Sequence, residues 1–246
     1  MSSINFYQQK KVKKHIKRKE NPSYHLTNID LNSRILIVGA SGAGKTNALL
    51  HYIYNSPNTF AKIVICSKGI EEPLYQFLKY EFQKKSLRGK LEFHSLESMP
   101  TLEQIADLKE DKDEEWLIVF DDLVNDIPKK DTKVKNYYIA GRKLGCTMVF
   151  ITQSYFRVDK VIRGQLSYLL LLKLSSARDL RLVMSDYALG ITPEELVELH
   201  RDATREPMQF LKIDINTGDE NKKFSKGFLD YYTCGCAEAS EEEIEA

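Results

Sequence analysis

The residues best suited to chemistry begin at Gly39. The stretch Gly39-Ala40-Ser41-Gly42-Ala43-Gly44-Lys45-Thr46 fits the pattern GxxxxGK[ST]. Its glycines let the backbone curl until successive N–H groups point inward at phosphate oxygens. In this pattern Lys45 reaches the β- and γ-phosphates and Thr46 offers its hydroxyl to Mg²⁺. An apolar run, Arg34 to Gly39, precedes the loop, and a helical stretch, Asn47 to Tyr54, follows it. The positive end of that helix would face the same anion. A simple glycine-rich turn is the bland alternative, and the strand-loop-helix context argues against it.

A second group closes the apolar run Trp116 to Phe120, which ends in the tandem carboxylates Asp121-Asp122. A carboxylate at the end of a core strand faces the crevice where ligands bind in open α/β sheets. Asp121 is then placed to hold Mg²⁺ through its water shell, and Asp122 to orient or deprotonate an attacking water. The alternative is an ordinary helix cap after a strand. A third candidate is Gln153, which ends the run Cys146 to Thr152. It can touch a γ-phosphate or the water, or merely bond to backbone.

Phosphoryl transfer also calls for an arginine, often supplied by a neighbouring subunit. Arg142, just before the strand that ends in Gln153, is the favoured candidate, and Arg163, just after it, is the other. For either one, a surface ion pair is the competing reading.

These residues need a scaffold of alternating elements. Strands are expected at Arg34–Gly39, Phe60–Cys66, Leu91–Leu96, Trp116–Asp122, Cys146–Thr152 and Tyr168–Leu174, with late strands at Met208–Ile215 and Phe224–Leu229. Helices are expected at Asn47–Tyr54, Glu71–Lys85, Leu102–Leu108, Lys133–Leu144, Asp159–Leu166, Ala177–Tyr187 and Pro193–His200. The charged run Lys109 to Glu115 is expected to be a solvated loop. Near-continuous apolar strands alternating with helices predict an α/β fold with a mostly parallel central sheet and helices on both faces.

The chain has 246 residues, enough to bury a core without staples, and a net charge of +1. That balance is uneven. Lys10, Lys11, Lys13, Lys14, Lys17, Arg18 and Lys19 crowd the front, while Glu238, Glu241, Glu242, Glu243 and Glu245 crowd the back. We therefore expect a basic arm (1–28), a nucleotide-binding body (29–232) and an acidic tail (233–246). The arm suits nucleic acid, or serves as a solubilising leader or nuclear address. Cys66 and Cys146 lie in strand-like runs and are expected in the core; Cys234 and Cys236 form a close pair with no second cluster, which does not make a zinc site. No disulfide framework, signal core or membrane-length apolar run is present, so a reducing intracellular compartment is expected.

The order of strand, acidic pair, arginine, strand and glutamine resembles the FtsK–HerA superfamily of DNA-pumping ATPases. More closely, the chain resembles the poxvirus-type genome-packaging ATPases of large DNA viruses and their virophages. The pieces that carry the resemblance are Gly39–Thr46, Glu72-Pro-Leu-Tyr75, Phe120-Asp-Asp-Leu-Val-Asn-Asp126, Gly141-Arg-Lys-Leu144, Ile151-Thr-Gln-Ser-Tyr-Phe156, Arg163 within Val161–Gln165, and Ala203-Thr204 before Pro207. Where many relatives carry histidine after the arginine, this chain has Lys143.

The resemblance implies a RecA-like P-loop NTPase that binds ATP with Mg²⁺. It implies a homo-oligomeric ring, pentamer or hexamer, that drives double-stranded DNA of any sequence into a preformed capsid. It also implies Lys45, Thr46, Asp121 and Asp122 as the nucleotide site, Gln153 as sensor, and Arg142 or Arg163 as the trans arginine. Expected partners are capsid vertex or portal-like proteins, and the expected place of work is host cytoplasm at viral assembly sites. Two other readings stand beside it. One is a cellular FtsK/HerA-like translocase. The other is a nucleotide-dependent switch or kinase, against which Asp121-Asp122, Gln153 and the lack of an N/TKxD guanine-reading motif argue.

Overall fold

The computed structural model describes residues 5–6, 9–13, 19–123 and 133–233. Nine strands form one sheet: β1 Arg34–Val38, β2 Lys62–Ser67, β3 Leu91–His94, β4 Trp116–Asp121, β5 Cys146–Thr152, β6 Tyr168–Leu171, β7 Leu211–Asp214, β8 Phe224–Lys226 and β9 Asp230–Tyr231. Their spatial order is β3-β2-β4-β5-β1-β6-β7-β8-β9. Every pairing from β3 to β6 is parallel, and the last three pairings are antiparallel.

The apolar strands are buried on both faces, as a parallel sheet requires. Alternate residues serve different layers. Leu36, Val38, Ile118, Phe120, Met148 and Phe150 belong to one core, with Leu102, Ile105, Tyr137, Tyr138, Leu180, Val183 and Leu196. Ile35, Ile37, Leu117, Val119, Val149 and Ile151 belong to the other, with Ala48, Leu49, Tyr52, Tyr75 and Leu78. After the short turns α1 (Lys10–Lys13) and α2 (Tyr24–Thr27), α3 (Lys45–Tyr54) and α4 (Pro73–Lys84) cover this second face. The first face is covered by α5 (Leu102–Leu108), α6 (Lys133–Ala140), α7 (Lys160–Arg163), α8 (Ala177–Asp186) and α9 (Pro193–Ala203).

Several local expectations change. The helix expected over Lys133–Leu144 is α-helical to Ala140 and then tightens into a 3₁₀ turn, Gly141–Leu144. A Cβ on Gly141 would lie 3.0 Å from Met148 Sδ, so the chain passes close over β5 there. The charged run is only partly solvated. Glu115 is 2% exposed and accepts from Asn32 N–H at 2.9 Å and from Thr147 Oγ1 at 2.7 Å. Lys109 Nζ donates to the carbonyls of Glu114 at 2.7 Å and Gly145 at 2.9 Å. Both ends of the run thus direct their charge at polar groups of the body, Lys109 at backbone carbonyls and Glu115 at the Asn32 N–H and the Thr147 hydroxyl. Strand β9 is an element the sequence pattern does not signal.

Residues Asn21 to Asn28, placed in the arm by the sequence reading, pack on the body. Asn21 Nδ2 donates to Ile29 O at 2.7 Å and Ser23 Oγ to Pro57 O at 2.9 Å. Residues 1–4, 7–8 and 14–18 of the basic arm, with Lys14, Lys17 and Arg18, the acidic tail from Cys234 on, with Cys236, and residues 124–126 of the acidic-pair motif lie outside the described residues. Cys66 and Cys146 are buried free thiols.

Candidate active site

Strand order brings the chemistry together. β5 lies between β1 and β4, and β2 flanks β4 on its other side. The carboxyl ends of β1, β4, β5 and β2 therefore open onto one crevice, the usual ligand position in such sheets. The loop Gly39–Gly44 leaves β1 there, and α3 starts at Lys45.

Gly44 holds φ +95° at the N-cap of α3, a conformation that side chains resist. A Cβ on Gly39 would stand 2.8 Å from Leu172 Cβ, so the loop enters against the residue that follows β6 at a distance only glycine allows. The first helical bond runs from Ala48 N–H to Gly44 O at 2.9 Å. The amides of Lys45, Thr46 and Asn47 therefore stand at the open end of the helix, ready for an anion. Lys45 Nζ donates to Ala40 O at 3.0 Å across the loop. Burial lowers the pKa of its ammonium, while Asp122, Asp121 and Glu72 pull it back up.

Asp121 ends β4 and is 8% exposed. Its Oδ2 accepts from Tyr75 Oη at 2.6 Å and Ser67 Oγ at 3.5 Å. Burial raises its pKa; the Tyr75 hydrogen bond works against that, and Glu72 and Asp122 add to it. Asp122 turns out of the strand with φ +51°, its N–H donating to Ile151 O at 3.0 Å. Its exposed carboxylate accepts from Gln153 Nε2 at 3.1 Å. Thr46 Oγ1 donates to Glu72 Oε2 at 3.1 Å.

The donors here are all hard oxygens: Thr46, Glu72, Asp121 and Asp122. Among the described residues no three His, Cys, Asp or Glu side chains converge tightly enough to hold a metal by themselves. That combination fits Mg²⁺, which keeps several waters and takes one or two carboxylates plus phosphate oxygens.

Beyond Gln153 the chain is pinned from α8. Asp179, 2% exposed, accepts from Ser154 Oγ at 3.2 Å, Tyr155 N–H at 3.1 Å and Phe156 N–H at 3.0 Å. The Arg178 guanidinium lies 3.5 Å from the centre of the Phe156 ring. One buried carboxylate thus sets where Gln153 emerges.

The two arginines occupy different settings. Arg163 has a side chain only 12% exposed, paired with Asp186 and donating through Nε to Val158 O at 3.2 Å. Asp186 also accepts from Tyr155 Oη at 2.9 Å, and the Arg163 guanidinium sits 5.1 Å from the Tyr155 ring centre. Arg142 is exposed, in the 3₁₀ turn that leads into the start of β5. A strand of β5's length spans about 20 Å, so Arg142 lies at the opposite edge of the sheet from Gln153.

Sequence reasoning assigned no role to Glu72, Tyr75, Ser67 or Asp179. Glu72 could have been noticed as a carboxylate shortly after a core strand and just before a helix-starting proline. Asp179 carries no local signal, because only tertiary packing brings it to the Gln153 segment.

Residues 24–214 match the protein family described as Poxvirus A32 protein. No curated protein sequence matches the chain. Among solved structures, the genome packaging NTPase B204 from Sulfolobus turreted icosahedral virus 2, in complex with sulfate, superposes with a TM-score of 0.58 at 11% identity, covering 82% of this chain and 100% of that one. The same protein in complex with ATP-gammaS superposes with a TM-score of 0.55 at 15% identity, covering 75% of this chain and 93% of that one. At this level of identity the likeness shows the fold, a P-loop NTPase built on a mostly parallel α/β sheet.

Proposed function

The chain belongs to the Poxvirus A32 protein family, and on that premise we propose that it is an ATP-hydrolysing motor that moves double-stranded viral DNA into a preformed capsid. The observation that carries the reading is the convergence of Lys45, Thr46, Asp121, Asp122 and Gln153 on one crevice at the carboxyl edge of the sheet. A similar fold in a genome packaging NTPase, in complex with an ATP analogue, supports it.

In this reading the loop amides and Lys45 hold the triphosphate of ATP. Thr46 and Asp121 would hold Mg²⁺, which when bound would supply positive charge against that of the phosphates. Asp122 takes the proton of the attacking water, and Gln153, touching Asp122, orients that water and registers loss of the γ-phosphate. Arg142, exposed before the start of β5 and so at the other edge of the sheet from its own crevice, serves the site of the next subunit in a closed ring, five or six subunits round. DNA is gripped by its phosphates without base readout, since a packaging motor must accept any sequence. The ring docks on a capsid vertex or portal-like protein and works in host cytoplasm at viral assembly sites. Among the described residues no helix is long and apolar enough to cross a membrane.

The test is ATP hydrolysis with and without long duplex DNA of unrelated sequences, with imaging of the same sample. The reading expects stimulation by every duplex and rings in the presence of nucleotide. Hydrolysis indifferent to DNA, from a monomer, would overturn it.

A further inference from the structure

The segment between β2 and α4 delivers two side chains to the crevice that the loop motif and the acidic pair do not include. β2 pairs with β4 so that Ser67 stands beside Asp121. The chain then turns through Gly69, whose N–H donates to Ser67 Oγ at 3.0 Å, and enters α4 with Glu72 as N-cap and Pro73 at the first helical position. Proline there carries no N–H to leave unpaired and is preset for the helix. Tyr75, three residues on, is fully buried against Phe93, with ring centres 5.5 Å apart. The start of α4 is thus held from both ends.

We infer that Glu72 and Tyr75 are positioning residues of the cation-binding half of this site, Glu72 acting through Thr46 and Tyr75 through Asp121. The inference rests on the nucleotide-binding reading above. Its geometry is that of one proton directed away from the cation position, on Thr46, and one that anchors the carboxylate beside it, on Tyr75. A threonine hydroxyl has one proton and two lone pairs. With the proton donated to Glu72 Oε2 at 3.1 Å, both lone pairs of Thr46 Oγ1 are free for a cation. The Tyr75 proton, on Asp121 Oδ2 at 2.6 Å, fixes that carboxylate and leaves Oδ1 for the cation's water shell. Partners that orient ligands in this way commonly carry 10- to 100-fold in metal affinity.

Glu72 also places a third negative charge beside Asp121 and Asp122. Without a cation that charge repels a triphosphate; with one it attracts the complex. The two conditions therefore respond to Glu72 with opposite signs, which a purely structural residue would not produce.

The experiment titrates a fluorescent ATP analogue into the full chain, once in Mg²⁺ and once in EDTA. Glu72→Ala is expected to cut the Mg²⁺-dependent gain in affinity by about 10- to 100-fold, while affinity in EDTA stays the same or tightens. Tyr75→Phe, a conservative change in the core, is expected to cut the same gain with affinity in EDTA unchanged. Glu72→Gln, which keeps the acceptor for Thr46 and loses the charge, should restore part of the gain. An unchanged Mg²⁺ gain in Glu72→Ala and Tyr75→Phe, or equal losses in both conditions, overturns the inference while leaving the nucleotide site standing. A wild-type chain that does not bind the analogue overturns the nucleotide reading itself.

Discussion

The side-chain amide of Gln153 donates to Asp122 at 3.1 Å, joining the residues that follow two neighbouring parallel strands. Asp122 reaches that position through a left-handed backbone turn, φ +51°, which an L-residue adopts at a cost. Asp and Asn tolerate it better than other side chains because their short polar groups can bond locally. The contact ties the proposed water-activating carboxylate to the strand between it and the phosphate loop.

Asp122→Asn is therefore expected to fold and bind nucleotide while hydrolysis falls by about 100-fold or more, the usual worth of a general base. Phosphate release measured beside nucleotide binding checks this. Hydrolysis near the wild-type rate would remove Asp122 from the role.

Arg142 and Arg163 should separate by kind of defect. Arg163→Ala removes the ion pair with Asp186 and the Nε bond to Val158 O, and is expected to cost about 1–2 kcal/mol, since Asp186 keeps Tyr155 Oη and part of its surface in solvent. In a chain of this size that lowers the thermal midpoint by roughly 2–8 °C. Arg142→Ala should stay within about 0.5 kcal/mol of wild type, as exposed substitutions do, yet poison hydrolysis when mixed with wild-type subunits. Mixing in which activity falls only in proportion to the wild-type fraction would exclude a trans role.

Lys212 predicts a pH dependence of stability. It is 1% exposed, and Nζ donates to Thr27 O at 3.2 Å and Phe228 O at 2.7 Å, tying the front of the chain to its last hairpin. Burial pulls its pKa down to about 8, against the attraction of Asp214. The unfolded chain thus binds a proton more readily than the folded one. Lys212's favourable contribution is full above the ordinary lysine value and is lost as pH falls toward 8. Between pH 7.5 and 9, wild type should gain stability relative to Lys212→Met, with a slope of at most about 1.4 kcal/mol per pH unit. The buried thiols of Cys66 and Cys146, pushed up to about 11 and about 12, affect both proteins alike. Parallel denaturant curves across this range would contradict the prediction.

Deleting residues 1–20 removes seven basic side chains. If they meet phosphates, DNA affinity should drop and the slope of log K against log salt should flatten by up to about 6. An unaltered slope would reduce the segment to a leader.

The amino-acid sequence by itself determined the pieces whose signals are local. The loop Gly39–Thr46 is read directly because glycines, lysine and threonine at fixed spacing leave few alternatives. Asp121, Asp122 and Gln153 were legible because a polar residue that ends an apolar strand must emerge at the sheet's carboxyl edge. The alternation of strands and helices came from periodicity; beyond the short elements α2 and β9, which carry no such signal, the changes were in boundaries, as at Gly141, where close packing on Met148 accompanies a change from α to 3₁₀. Tertiary structure alone decided which strand ends are neighbours. Placing β5 between β1 and β4, and β2 beside β4, brought Glu72 to Thr46 and Tyr75 to Asp121. It also separated Arg142, exposed at the far edge of the sheet, from Arg163, closed in its pair with Asp186. These contacts join residues far apart in the chain, and no local pattern encodes them. They arise because the strand order of the folded sheet sets which side chains share the crevice that opens at Gly39.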